Sequence, residues 1–149
     1  MKQSTKKSKR HTPPFESENE RHPDVIVDFV FDDGLLFVTL QNIGDEPAVN
    51  VTTTFNKTFT GVGGEQEISA LAMFKKLSYL APYRNITTFV DTSESYFKRR
   101  QPNILTASIA WRDRAGKRYE STIRHNVSIY KDIICIVHPT AKHVEQTDR

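Results

Sequence analysis

Apolar and polar residues alternate along much of the chain, most clearly between residues 35 and 55. Two alternating runs there lie on either side of residues 42–47, a cluster that contains Gly44 and Pro47. A period of two puts successive side chains on opposite faces of a strand, and glycine and proline interrupt strands. We therefore predict two strands joined by a turn. Their apolar positions are Leu36, Val38 and Leu40, then Val49, Val51 and Phe55.

The same alternation predicts further strands on both sides of this pair. The first covers residues 24–31, and the turn signal at residues 32–34 leads from it into the next strand. These two strands either pair as a hairpin or lie across a sandwich. Residues 65–80 are ambiguous, and we interpret them as an irregular or short helical crossover that ends in a strand. Residues 85–91 then alternate again.

The last part of the pattern predicts a second hairpin. Residues 91–102 are polar and are expected to form a surface connection. Alternation then runs from Leu105 to Trp111 and, after a short turn, from Tyr119 to Ile129. Gly116 supplies the positive φ that a short hairpin loop usually needs.

About seven strands at regular intervals predict an all-β fold, a β-sandwich with flexible tails. Residues 1–23 have few apolar side chains and are interpreted as a disordered basic tail. The sandwich is expected over residues 24–132, and residues 133–149 form a C-terminal extension. A chain of 149 residues can bury a core of this size without disulfides.

Charge and cysteine content bear on the compartment and on the partners. The net charge is +3, and because the first ten residues carry five lysines and arginines, the rest of the chain sums to 3 − 5 = −2. No apolar run follows the basic start, and the single cysteine, Cys135, excludes an internal disulfide. We therefore expect a cytoplasmic protein without a transmembrane segment. Four Asn-x-Ser/Thr sequences are then chance matches in Thr-rich strands rather than glycosylation sites.

Three stretches of the sequence resemble bacterial CARDB-like immunoglobulin-like domains. Asn42-Ile43-Gly44 with Ala48 and Asn50-Val51 is similar to their N-x-G-x-x-x-A-x-N-V stretch. Leu80-Ala81-Pro82 is similar to their L-x-P-G corner, although Tyr83 stands where the corner often has glycine. The hairpin around Asp113 and Gly116 is similar to their Y-x-D-x-x-G-x-x-Y motif. The resemblance covers residues 24–130 and implies that the β-sandwich is immunoglobulin-like and serves as a non-catalytic binding or spacer module.

The residues offer no catalytic constellation. No serine lies in a Gly-x-Ser-x-Gly elbow, and His125 shares the parity of apolar neighbours, so we interpret it as a satisfied, partly buried histidine. Cys135 is interpreted as a buried structural thiol. The acidic pairs Asp32-Asp33 and Asp45-Glu46 could hold calcium but are more typical of plain turns. We therefore predict no enzyme activity, no metal and no cofactor.

The expected function is that of a protein-interaction module, an accessory or adaptor subunit that docks to a larger protein partner through its sheet edge and tails. The apolar patch Ile133, Ile134, Ile136 and Val137 is the predicted docking segment, unless it covers the core of its own domain. The alternative is binding of nucleic acid or another anionic surface. Its predicted contacts are Lys6, Lys7, Lys9, Arg10, Lys98, Arg99 and Arg100, and the cations of the second hairpin could extend this surface: Arg112, Arg114, Lys117 and Arg118.

A small-molecule or carbohydrate ligand is the weakest of these hypotheses. It depends on analogy between folds and on aromatic residues near the predicted loops. Ordinary core packing accounts for most of these side chains, so we do not expect a small-molecule ligand. The aromatic residues concerned are Tyr79, Tyr83, Tyr96 and Phe97.

Overall fold

The structure, a computed structural model, describes residues 21–133. Two antiparallel sheets pack face to face and form an immunoglobulin-like β-sandwich, as predicted. The first sheet has the strand order β1-β2-β5 and the second has the order β4-β3-β6-β7. The strands are β1 (Val25–Asp32), β2 (Leu35–Asn42), β3 (Ala48–Phe55), β4 (Leu77–Leu80), β5 (Asn85–Thr92), β6 (Ile104–Arg112) and β7 (Arg118–Asn126).

Strands β1 and β2 form a hairpin, which decides between the two arrangements that the sequence allowed. Asp32 pairs with Leu35, and the two turn residues, Asp33 and Gly34, have φ values of 54° and 79°. Two consecutive positive φ values are typical of the tight turn whose twist matches that of paired strands. The alternating apolar residues Val25, Val27 and Phe29, predicted to face inward, lie in the core, and Phe31 at the next such position is only half-buried.

The loop between β2 and β3 carries the chain from one sheet to the other around Asn42. This side chain has no exposed surface. Its amide group donates to the carbonyl oxygens of Glu46 (2.8 Å) and Leu80 (3.1 Å). Its oxygen accepts from the backbone N–H groups of Asp24 (3.1 Å) and Gly44 (2.9 Å). Asn42 thus ties the start of β1, the β2–β3 loop and the end of β4 together, and all its hydrogen-bonding capacity is used.

The segment between β3 and β4 is the predicted irregular crossover. It contains 3₁₀ turns at Val62–Gly64 and Ile68–Ala70 and the short helix α1 (Ala72–Lys75), after which β4 begins. Ile68 and Phe74 are buried, and the ring of Phe74 packs edge-on against that of Phe55 at 5.1 Å. The apolar positions of this segment therefore complete the core, although the helix is too short to show a periodic pattern.

The prediction of a polar surface connection over residues 91–102 is wrong. The helix α2 (Ser93–Lys98) begins there, capped by Thr92, whose hydroxyl accepts from the N–H of Ser95 at 3.1 Å. Tyr96 is buried, and its hydroxyl donates to the carbonyl of Pro102 at 2.9 Å. Burial raises the pKa of Tyr96 well above its ordinary value of 10.0, and the nearby charge of Arg99 offsets this only in part.

An ion pair fixes α2 to the first sheet. The Arg99 guanidinium donates to Oδ2 of Asp91 through Nη2 (2.7 Å) and Nε (3.2 Å). It also donates to the hydroxyl (2.6 Å) and the carbonyl (3.2 Å) of Thr60. Asp91 is only 3% exposed. Some of the polar residues that suggested a surface connection thus form hydrogen bonds and an ion pair inside the fold.

The hairpin of β6 and β7 is confirmed, with φ of 96° at Gly116. The predicted alternation to Ile129 ends earlier than expected, because the side chain of Asn126 caps a 3₁₀ turn over Val127–Tyr130. The turn brings Tyr130 against β1, where its hydroxyl donates to the carbonyl of Phe29 at 3.2 Å. Its ring also stacks on that of Phe31 at 5.3 Å.

Strand β3 departs from strict alternation at a bulge. Its pairing with β6 shifts between Val49 and Thr52, and Asn50 there has φ of 53°. The shift leaves Val51 and Thr53 inside, while Val49 and Phe55 are half-buried. The hydroxyl oxygen of Thr53 is buried and has no hydrogen-bond partner in the described part of the chain. Of the predicted inward positions of β3, Val51 is therefore buried, and Val49 and Phe55 are only half-buried. A period-two pattern cannot anticipate the bulge.

Candidate functional site

Within residues 21–133, the outer edge of β7 is the longest edge of the second sheet that no other strand pairs with. β7 has nine residues, compared with four in β4 at the other edge, and it contains neither proline nor glycine. Its register with β6 is unbroken from Arg118 to Asn126. Proteins usually protect such edges with proline, bulges or short strands, because the unpaired backbone groups can pair with another strand.

Hydrogen bonds at both ends of β7 identify the residues that face outward. The N–H of Asp113 donates to the carbonyl of Lys117 (3.0 Å), and that of Val127 donates to the carbonyl of Asn103 (2.8 Å). Bonded and non-bonded pairs alternate along an antiparallel ladder, so odd-numbered residues of β7 bond to β6. The backbone N–H and C=O groups of the even-numbered residues therefore point away from the sheet. These residues are Arg118, Glu120, Thr122, Arg124 and Asn126.

Side chains at this edge differ between its two faces. The even-numbered ones are exposed on the outer face of the second sheet, and the odd-numbered ones are half-buried. No carboxylate of residues 21–133 forms an ion pair with Arg118 or Arg124. On the inner side, the His125 ring meets the Phe29 ring edge-on at 5.0 Å. Among the described residues, the edge thus offers outward backbone groups and two cations that form no ion pair.

The N-terminal part of the described chain lies against the start of β7. The carbonyl of Pro23 accepts from the indole N–H of Trp111 (3.2 Å). The His22 ring stacks on that of Tyr119 (5.4 Å), which in turn stacks on the Trp111 ring (6.0 Å). Arg21 forms ion pairs with Asp45 (3.2 Å) and Glu46 (3.4 Å). Residues 21–23, assigned to the tail from the sequence, therefore contact the sandwich.

The turn before β7 is held by Asp113. Its carboxylate accepts from the N–H groups of Lys117 and Ala115 (both 2.9 Å) and from the hydroxyl of Tyr119 (3.1 Å). The bond from the Lys117 N–H is the main reason that the pKa of Asp113 lies below its ordinary value of 3.8. The motif around Asp113 and Gly116 thus fixes the start of β7.

The cations predicted from the sequence do not form one surface. Lys98 and Arg100 are exposed, whereas Arg99 is engaged by Asp91 and is not a free contact. These residues precede the first residue of β6, whereas Arg112 is its last residue and is followed by Arg114, Lys117 and Arg118. A strand of nine residues separates the two groups by about 30 Å. Lys6, Lys7, Lys9 and Arg10 lie outside the described residues.

The predicted apolar docking patch is described only at its first residue. Ile133 is half-buried, and Ile134, Ile136 and Val137 lie outside the described residues, as does Cys135. Two of the aromatic residues considered for a ligand site, Tyr79 and Tyr83, are exposed, whereas Tyr96 is buried and Phe97 half-buried. Tyr83 has φ of 61°, the left-handed conformation that glycine adopts most easily.

An apolar row on the first sheet was missed in the sequence. Val30, Phe37 and Phe89 are in register across its outer face, and the two rings meet edge-on at 5.7 Å. Val30 is 38% and Phe89 is 37% exposed. The available signal was that Val30 and Phe37 lie at outward positions of otherwise alternating strands.

Potential reactive groups are dispersed within residues 21–133. No three His, Cys, Asp or Glu side chains in this range are close enough together to hold a metal ion. His125 is partly buried as predicted, but its Nε2 is buried without a hydrogen-bond partner among the described residues, so the prediction that it is satisfied is wrong at that atom. No helix in the described range is both long and apolar enough to cross a membrane.

A family model for a domain of unknown function, DUF8453, matches residues 2–131. The chain belongs to this family. The DUF8453 match includes the described sandwich almost completely and also extends over the basic N-terminal residues. Comparison with curated proteins finds no match.

Proposed function

We propose that the chain is a non-catalytic protein-interaction module that accepts a strand from a larger partner on the edge of β7, as an accessory or adaptor subunit. The observation that carries the proposal is the row of outward backbone groups on Arg118, Glu120, Thr122 and Arg124. Strand addition to a sheet edge takes affinity from these groups and specificity from alternate side chains. The flanking arginines favour a partner strand with acidic residues on its outer face.

The finer classification as a CARDB-like domain belongs to the same proposal. The positions of the motifs support it, because Asn42 and Gly44 join the loops at one end and Asp113 forms the β6–β7 turn. Tyr83 at φ 61° occupies the corner position where such domains often have glycine. A chain with one cysteine is suited to a reducing compartment, so we place the adaptor in the cytoplasm.

The proposal is tested by removing one outward N–H from β7. Thr122→Pro deletes this N–H but leaves the ladder to β6 intact, because Thr122 does not bond to β6. Thr122→Ala is the matched control, since it changes the side chain and keeps the N–H. In affinity capture with the full-length chain, the wild type and Thr122→Ala should retain the same stoichiometric partner, and Thr122→Pro should lose it. If both variants retain the partner equally and have equal melting temperatures, the edge of β7 is excluded as the binding site.

Binding of nucleic acid remains the alternative, with Lys98 and Arg100 as its exposed contacts in the described range. The separation of the two cation groups argues against one continuous surface. The hypothesis predicts that affinity falls steeply as salt increases, in proportion to the number of neutralised phosphates. A filter-binding titration with duplex DNA, single-stranded DNA and RNA measures this slope. Flat or absent binding to all three probes removes the alternative.

A further inference from the structure

The outer face of the second sheet carries a row of side chains that crosses all four strands. Tyr79 of β4 pairs with Val49 of β3, which in turn pairs with Arg112 of β6. Arg112 pairs with Arg118 of β7. Residues paired directly across two strands place their side chains on the same face. The Tyr79 side chain is 52% exposed, both arginines are exposed and Val49 is half-buried. We call these four residues the cross-strand row.

The two arginines of the row form a pair of like charges at the closest cross-strand spacing. Because the odd-numbered residues of β7 bond to β6, Arg112 and Arg118 are a non-hydrogen-bonded pair. The Cα atoms of such a pair are about 4.5 Å apart. Like charges directly opposite each other destabilise a sheet. Neither arginine forms an ion pair within residues 21–133, so a bound anion would offset their repulsion.

Four carboxylates lie close to the row along the chain, and they leave its positive charge in place. Asp45 and Glu46 form ion pairs with Arg21. The carboxylate of Asp113 accepts three hydrogen bonds within its own hairpin. Glu120 lies two residues beyond the pair on the same face, where it forms no ion pair with either arginine. The row is therefore a local cationic surface on a domain whose net charge is close to zero.

A depression of about 250 Å³ lies beside the arginine pair. It is smaller than the pockets of about 300 Å³ or more that hold drug-sized ligands, so it suits a single charged group. Guanidinium groups bind phosphate oxygens through paired hydrogen bonds. Two strand spacings, about 10 Å, separate Tyr79 from Arg112 along the row. The residues that line the depression include Asn50, Thr52, Ala110, Arg112, Arg118 and Glu120.

We propose that the cross-strand row binds single-stranded nucleic acid, with a base stacked on the Tyr79 ring and a neighbouring phosphate held by Arg112 and Arg118. Aromatic rings on an exposed sheet stack on unpaired bases, which a duplex does not present. The inference goes beyond the proposed function, because it concerns the face of the sheet rather than the edge of β7. It also differs from the nucleic-acid contacts predicted from the sequence, since only strand order brings Tyr79 next to the arginines.

The test is fluorescence anisotropy of the full-length chain with short labelled RNA and DNA, each as a single strand and as a duplex. The wild type should prefer the single strands. Tyr79→Ala should weaken binding by about tenfold, and Tyr79→Phe, which keeps the ring, should retain it. Arg112→Ala should weaken binding by about tenfold and lower the slope of affinity against salt by about 0.7.

Two controls separate this site from the rest of the surface. Arg100→Ala removes an exposed arginine beyond the other end of β6 and should leave the affinity unchanged. Without oligonucleotide, Arg112→Ala should melt at the same temperature as the wild type or higher, because it removes the repulsion from Arg118. Weaker binding by this variant then comes from the site and not from a loss of fold.

The proposal is overturned if the wild type binds none of the oligonucleotides or prefers the duplexes. It is also overturned if Tyr79→Ala or Arg112→Ala binds as tightly as the wild type. A glutamate-rich peptide that competes more strongly than the single strands would assign the row to an acidic protein instead. These outcomes leave the proposed function untouched: Thr122→Pro should lose the protein partner and keep oligonucleotide binding, and Arg112→Ala should do the reverse.

Discussion

The end of the sandwich around Asn42 and the free edge of β7 use polar groups in opposite ways. At the end, the Asn42 amide bonds to four backbone groups and is fully buried. At the edge, the even-numbered residues of β7 turn their backbone groups away from the sheet. Polar groups that are satisfied within the domain contribute to its stability. Those left open are available to another strand, so substitutions in the two regions should affect different properties.

The largest effect on stability is expected from Asn42→Ala. The change leaves the N–H groups of Asp24 and Gly44 and the carbonyls of Glu46 and Leu80 without their partner. Losing partners for buried polar groups should lower the free energy of unfolding by about 3 kcal/mol. Denaturant unfolding at neutral pH measures this loss in the free energy of unfolding. A loss below about 1 kcal/mol would mean that water takes over the hydrogen bonds of the amide. This end of the sandwich would then be accessible to solvent, like the edge of β7.

Breaking the ion pair of Arg99 with Asp91, at the opposite end of the sandwich, should also lower the free energy of unfolding, but by less. Arg99→Ala leaves the buried carboxylate of Asp91 with the N–H of Thr92 as its only hydrogen-bond donor among residues 21–133. We expect a loss of about 2 kcal/mol, less than for a fully buried pair because the Arg99 side chain is 20% exposed. The matched control is Arg100→Ala, whose exposed side chain should be close to neutral. Equal losses for both variants would contradict an internal role for Arg99.

Thr53 provides a prediction of opposite sign. Its hydroxyl is buried without a partner in the described range, so Thr53→Val replaces an unsatisfied polar group by a methyl group of similar shape. The free energy of unfolding should rise by about 1 kcal/mol. Thr54→Val, at the exposed neighbouring position, should change it by less than about 0.5 kcal/mol. Destabilisation by Thr53→Val would indicate a partner for the hydroxyl, such as a bound water.

Asp113, where the hairpin leads into β7, should give the smallest effect, visible as a dependence on pH. Because its pKa in the folded state lies below 3.8, the charged carboxylate stabilises the fold above about pH 4, and this stabilisation is lost as the pH falls through the folded-state pKa. Asp113→Asn removes the titrating group. Its deficit relative to the wild type should therefore shrink between about pH 4 and pH 2. Unfolding curves in this range measure the difference, and a constant deficit would contradict it.

The comparison also explains which parts of the fold could be predicted from sequence. The end around Asn42 was visible as a motif, because its tight turn needs Gly44, where a Cβ would collide with the carbonyl oxygen of His22. The helix α2 was missed because its six residues hold one fully buried apolar side chain, Tyr96, which leaves no periodic pattern. The partner of Arg99 depends on a tertiary contact and has no signal in local sequence.

The open edge could be predicted only in part. Alternation identified β7 as a strand, and its odd-numbered positions were correctly placed inward as far as His125. Strand order, however, follows from how both sheets close over one core. Nothing in the sequence of β7 distinguishes an edge strand from a central one, apart from the exposed charges of Arg118, Glu120 and Arg124. The sequence search for a docking segment therefore selected the apolar patch from Ile133 to Val137 instead.

Site-resolved hydrogen exchange on β7, with and without the captured partner, tests strand acceptance most directly. In the complex, the amides of Glu120, Thr122 and Arg124 should be protected, and those of Ser121 and Ile123 should keep the protection that β6 already gives them in the free protein. Slow exchange of the even-numbered amides only in the complex, or slower exchange there than in the free chain, agrees with a strand added to this edge. Unchanged, fast exchange of the even-numbered amides in a saturated complex would show that the partner binds elsewhere.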